Sequence, residues 1–189
     1  MLKAIVAAKN QNSCDAIADI VTDCGFLAVK TANTGLQVRE QFTYTDYELM
    51  VLYPPLEDEF GLELVADIAK NSNVAVIIIS KNEIAEEIQQ KLAFCGAFVL
   101  PRPINKAMLT HAIRYVMIVR EQAIKLKAAN ADLLQKINDL KLIDRAKCVL
   151  IEVLKLSESQ AHRYIQKQAM DQRLPQTEIA KNILKTYEL

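Results

Sequence analysis

Apolar positions in this chain change their period along its length, and the changes divide it into pieces. Through about residue 105, short apolar runs alternate with stretches whose apolar residues recur every three or four positions. Residues 4–8, 27–31, 49–52, 74–79 and 98–100 read as strands, and 49–52 and 74–79 are continuous apolar runs, as strands covered on both faces are. Residues 15–21 carry helical spacing closed by Gly25-Phe26, and further helical segments fall near 34–43, 61–70, 84–93 and from 105 onward. Five strands alternating with helices predict an α/β fold built on an open five-stranded parallel sheet.

From about Ala107 no breaker interrupts the helical pattern until Leu156-Ser157. A helix of that length has more surface than a small domain can cover. Val119, Leu126, Leu133 and Leu140 are spaced by seven, and Ala123, Asn130 and Ile137 sit four residues after the first three. This is an a/d seam with Leu at d and one Asn at a, and it predicts a dimeric coiled coil over a long helix packed only on its own chain. A lone buried amide at a is best satisfied by its mate across a parallel two-stranded coil. Two short helices follow. Ser157 through Gln160 fits a capping box, with Ala161, Tyr164, Ile165, Gln168 and Ala169 behind it at helical spacing. Leu174-Pro175 breaks the chain, Thr177 can cap, and Ile179, Ala180, Ile183 and Leu184 form an apolar stripe. Pieces this short must pack together at the end of the long helix.

Composition changes this picture in one respect. The net charge of zero hides a split: residues 1–110 carry 9 Lys and Arg against 14 Asp and Glu, and residues 111–189 carry 14 against 9. A polyanion would therefore meet the C-terminal part. Cys14, Cys24, Cys95 and Cys148 have no CxxC pairing and no histidine at ligand spacing, which fits reduced thiols in a cytoplasmic protein. The first residues run straight into a strand with no room for a signal peptide, and no apolar run reaches membrane-spanning length, so no membrane role is expected.

Candidate chemistry centres on position 53. The segment from Asp46 to Leu56, with Gly61 eight residues beyond Tyr53, resembles the third strand and following loop of a response-regulator receiver domain, a flavodoxin-like fold. In that family the strand ends in the aspartate that accepts a phosphoryl group. With Gly25 as the register mark, the resemblance puts the acidic pair on Ala8 and Lys9, the acceptor on Tyr53, the hydroxyl on Ser80 and the charge-balancing lysine on Arg102, before Pro103. Three carboxylates are missing, so neither Mg²⁺ binding nor phosphorylation is expected here. Tyr53 reads as an aromatic filling the vacated pocket, Asp58 and Glu59 as loop residues. The pocket stays open to a ligand or a regulatory protein partner in place of the phosphoryl signal. His111 and His162 have no Ser, Cys or carboxylate at catalytic spacing, and four isolated glycines cannot build a phosphate loop. No catalytic residue, metal or cofactor is assigned, and the chain is not expected to be an enzyme.

Residues 144–184 carry a second resemblance. Asp144-Arg145-Ala146-Lys147-Cys148-Val149-Leu150-Ile151, Ser157-Glu158-Ser159-Gln160-Ala161-His162-Arg163, Gln168-Ala169-Met170 and Glu178-Ile179-Ala180 are similar to the ANTAR module of RNA-binding antitermination regulators. The order receiver, coiled coil, ANTAR covers the whole chain: a degenerate receiver over 1–106, a dimerisation helix over 107–143 and the ANTAR module over 144–189. The resemblance implies a dimer that binds paired stem-loops in a nascent leader transcript and so prevents a terminator hairpin from forming. Arg145, Lys147, Arg163, Lys167 and Arg173 would supply cations, and Ala146 would allow close approach. Tyr164 could stack, though its place in the apolar stripe favours packing. Gln166 stands where a further basic residue is common. Two other readings compete. One is a scaffold acting through protein contacts, and the other is a DNA-binding regulator whose last helix offers only Lys181, Asn182 and Lys185.

Overall fold

A computed structural model describes residues 2–187. In chain order the elements are β1 (Lys3–Ala8), α1 (Gln11–Asp23), β2 (Ala28–Ala32), α2 (Gly35–Tyr44), β3 (Leu49–Tyr53), α3 (Leu62–Asn71), β4 (Ala75–Ser80), α4 (Asn82–Lys91), a 3₁₀ turn (Ala93–Cys95), β5 (Phe98–Pro101), α5 (Lys106–Leu154), α6 (Glu158–Gln172) and α7 (Gln176–Tyr187). The chain divides into two compact units, Met1–Lys125 and Leu126–Leu189, with the division inside α5.

In the first unit all strands are parallel, in the order β2-β1-β3-β4-β5. Alternation along each strand feeds two cores. Ile5 and Ala7, Met50 and Leu52, and Val76 and Ile78 face α2, α3 and α4 through Val38, Leu64, Val65, Ile68 and Ile88. Ala4 and Val6, Leu49 and Val51, and Ile77 and Ile79 face α1 and the start of α5 through Ile17, Val21, Leu109, Ala112, Ile113 and Val116. Two covered faces are the reason that β3 and β4 are apolar at consecutive positions. Edge strand β2 is less covered, with Lys30 and Thr31 exposed, and it begins at Ala28 because Leu27 lies 74% exposed in the turn before it. Gly25, with φ 97°, ends α1 in the left-handed conformation that a side chain disfavours.

Helix starts follow local chemistry. The Asn10 side chain accepts from the Asn12 N–H at α1, and Thr34 with Gln37 forms a full capping box at α2. Helix α4 begins at Asn82, two residues before the position predicted from periodicity, because Asn82 and Glu83 are polar and the first apolar marker is Ile84. The register Ala8↔Tyr53 and Ser80↔Pro101 brings the C-terminal ends of β1, β3, β4 and β5 to one edge of the sheet. In open parallel sheets that edge is where ligands bind.

In the second unit the end of α5 packs with α6 and α7. Ala146, Val149 and Leu150 meet Ala161 and Ile165, and both meet Ile179, Ala180, Ile183 and Leu184. The expected capping box is present: the Ser157 hydroxyl accepts from the Gln160 N–H, and the Gln160 side chain accepts from the Ser157 N–H. Thr177, expected to cap α7, instead lies inside it. The Pro175 carbonyl accepts from the Glu178 and Ile179 N–H groups, so the helix starts at Gln176. Helix α6 ends at Arg173, a non-glycine residue held at φ 56°, whose N–H reaches the Ala169 and Met170 carbonyls.

Candidate functional site

The strand-end edge of the first unit holds the residues that the receiver comparison singled out. Ala8 is fully buried, and its carbonyl accepts from the Asn33 side chain at 2.9 Å and the Cys14 thiol at 3.4 Å. Burial pushes the Cys14 thiol above its ordinary pKa, so it stays a neutral donor. Lys9 is exposed. Tyr53 ends β3 half-buried, and the Arg102 guanidinium both lies over its ring, 4.8 Å from the centroid, and donates to its hydroxyl at 2.8 Å. That pair joins the ends of β3 and β5 by a cation–π contact and a hydrogen bond. Arg102 Nε is buried without a partner. Ser80 is 1% exposed; its hydroxyl donates to the Lys81 carbonyl at 3.1 Å and its own carbonyl accepts from the Arg102 N–H at 2.9 Å. No carboxylate stands at the ends of β1 or β3, where Ala8, Lys9 and Tyr53 are. Among the described residues no group of three His, Cys, Asp or Glu side chains could hold a metal ion.

The acidic residues of the β3–α3 loop are engaged elsewhere. Asp58 accepts from the Gly35 N–H at 2.7 Å and the Leu36 N–H at 3.2 Å, at the start of α2, while Glu59 pairs with Arg39. Hydrogen bonds from the backbone, Gly35 first, hold the Asp58 carboxyl below its ordinary range. A depressed folded-state pKa contributes stability that is present above the unfolded value and is lost as pH falls through the folded one. Asp58→Ala should therefore lower the melting temperature of the first unit at neutral pH. The deficit should shrink once pH falls below the ordinary carboxylate range of about 4, as followed by circular dichroism across a pH series.

In the second unit the predicted RNA-facing residues fall into different settings. Arg163, Lys167 and Arg173 are exposed and enter no ion pair among the described residues, and Arg145 is exposed as well. Lys147 is different. Its ammonium sits 2.8 Å from Asp144 and 3.2 Å from Glu158, with its side chain 17% exposed, so it ties α5 to α6. Hydrogen bonds to Asp144 and then Glu158 raise its pKa. Ala146, assigned above to the RNA face, is fully buried, and its small side chain serves helix packing instead. Tyr164, expected to pack in the stripe, is 39% exposed and lies outside the core cluster that Ala161 and Ile165 join.

The predicted seam lies open along α5. In the first unit Val119 and Ala123 are exposed; in the second, Leu126, Asn130, Leu133, Ile137 and Leu140 are exposed, Leu126 at 63% and Leu140 at 61%. Leu134, unremarked in the heptad pattern, is 62% exposed beside them. No helix among the described residues is long and apolar enough to cross a membrane.

An α/β unit with five parallel strands in this order has a receiver-like fold, and the ends of its first and third strands carry Ala8, Lys9 and Tyr53 rather than carboxylates. Solved structures agree on the fold. A CheY-like response regulator receiver domain protein from Methanospirillum hungatei superposes with a TM-score of 0.59 at 18% identity, over 65% of this chain and 98% of its own. A response regulator receiver domain protein from Clostridium thermocellum does so with a TM-score of 0.58 at 16% identity, over 65% and 99%. Residues 131–184 match the ANTAR domain family, so the chain carries an ANTAR domain at its C-terminus, behind a receiver-like N-terminal fold. It is also similar to the transcriptional regulatory protein PdtaR of Mycobacterium tuberculosis, 23% identical over 171 residues that cover 90% of this chain and 83% of that protein.

Proposed function

We propose that this chain is an RNA-binding transcription antiterminator that acts as a dimer, and that its receiver-like domain is not controlled by aspartate phosphorylation. The ANTAR match over residues 131–184 carries the reading. Three features support it: Arg163, Lys167 and Arg173 are exposed on α6 and at its end, the aliphatic seam of α5 is uncovered, and Tyr53 and Arg102 occupy the place of the phosphoacceptor and its lysine. Two copies joined along α5 present two modules to one transcript, which suits adjacent stem-loops. Loop bases, unstacked and unpaired, are the accessible part of such an RNA, and the three cations neutralise phosphates beside them. Replacing phosphotransfer, the controlling input is a ligand or a partner protein at the receiver-like domain. Within the chain, residues 1–106 would carry that input, 107–143 the dimer contact and 144–189 the output.

Fluorescence anisotropy with a labelled RNA carrying two adjacent stem-loops tests the proposal, against a single stem-loop and duplex DNA. The paired RNA should bind most tightly, with affinity falling as salt rises by about 0.7 log units per log unit of salt for each neutralised phosphate. Arg163→Ala and Lys167→Ala should each weaken binding and flatten that slope by about one such step for each bound copy. Equal weak binding to all three nucleic acids, unchanged in both variants, would leave a scaffold acting through protein contacts.

A further inference from the structure

We propose that the groove at the corner between α6 and α7 receives one unpaired base of the bound RNA loop. This rests on the RNA-binding reading above and names the contact that makes it selective. The groove is open, about 500 Å³, and lined by Gln166, Ala169, Met170, Leu174, Pro175 and Gln176. Its walls are of two kinds. Met170 is 79% exposed and Leu174 41% exposed, and with Ala169 and Pro175 they offer an apolar surface on which the flat face of a heterocycle can lie. Gln166 and Gln176 each bring an amide with both donors and an acceptor, the groups that match the edge of a base.

The corner is preformed. Arg173 ends α6 in the left-handed conformation, and the Leu174 N–H donates back to the Ala169 carbonyl at 3.0 Å, which sets the turn into Pro175 before any ligand arrives. Charge selects the occupant. Arg163 lies one turn before Gln166 and two before Met170, on one face of α6, and Arg173 borders the other end. No carboxylate lines the groove; the nearby Glu178 is held by Lys181 at 2.7 Å, and Asp171 points about a quarter turn away from Met170 on the helix. An apolar concavity bordered by exposed cations fits a polyanion that also presents a bare π-face, which in RNA is an unpaired loop base. Gln166, uncharged where a cation was expected, then reads the base rather than weakening the patch.

The test uses the full chain, the two-stem-loop RNA and a set of RNAs in which each loop nucleotide in turn is made abasic. One abasic position should weaken wild-type binding by at least about fivefold. Gln166→Ala and Met170→Ala, both exposed and expected to melt with wild type, should weaken intact RNA by a similar factor and add almost nothing at that abasic position. If both variants bind intact RNA as wild type does, or if the abasic penalty persists undiminished in them, the groove is not the base site, although RNA binding stands. If instead the variants lower the dimer fraction in sedimentation while leaving RNA affinity alone, the groove takes a second copy of the chain and the proposal falls. Failure of wild type to bind any RNA removes both readings together.

Discussion

Changing Leu126 and Leu133 together to glutamate should reduce the proposed dimer to a monomer whose first unit remains folded. Both leucines sit at d positions of the seam and are more than half exposed in the single chain, at 63% and 55%, and neither belongs to a core cluster among the described residues. Covering a leucine is worth about 1.5–3 kcal/mol, and a two-stranded coil covers four at these two levels. The replacement removes that burial and sets like charges opposite each other across a parallel seam. The first unit has its own two cores, none of whose residues lies beyond Met117, and it should melt as before. Sedimentation should show a halved mass, and affinity for paired stem-loops should fall by about 10²–10⁴, the usual gain from linked binding, while affinity for one stem-loop stays the same. Asn130→Leu is the complementary change. It should strengthen association but relax its register, since the lone amide at a specifies pairing at a cost in stability. A double glutamate variant that sediments as the wild type does would reject the seam.

The sheet was legible because β3 and β4 are continuous apolar runs over 49–52 and 75–79, the pattern expected of strands buried on both faces. The half-covered edge strand β2 blurred by one residue for the opposite reason. Ala8, Tyr53 and Ser80 end their strands as the sequence pattern had them, with Arg102 just past β5. The pairing of Tyr53 with Arg102 was not legible, because those residues are 49 apart in sequence and meet only through the crossover order of β3, β4 and β5. Asp58 shows the same limit: its partner is the start of α2, some twenty residues earlier in the chain, and a loop carboxylate carries no sign of which helix end it will meet. In the second unit the buried stripes of α6 and α7 followed the period. What spacing could not tell was which small or charged residue faces inward near the junction, where three helices compete for one space. There Ala146 turned in and Tyr164 out, and Lys147 was taken up by carboxylates on two helices.

That junction makes Ala146→Leu the most damaging single change expected in the second unit. Ala146 on α5, Ala161 on α6 and Ala180 on α7 are all fully buried in one core shared by the three helices. Three extra carbons at position 146 crowd a fully buried site, and overpacking of this kind costs about 1–3 kcal/mol. The module can absorb little of that. Its core is nine buried residues, and α6 and α7, of 15 and 12 residues, are too short to persist without it. Loss of helix signal and loss of RNA binding should therefore occur together, while sedimentation still reports a dimer through a seam that ends at Leu140. Ala146→Gly separates packing from contact. It leaves the approach open and costs about 1 kcal/mol of helix propensity, so a weakened but folded module should still bind. An Ala146→Leu protein that melts like wild type yet no longer binds RNA would instead put this residue on the RNA face, against its burial among three helices.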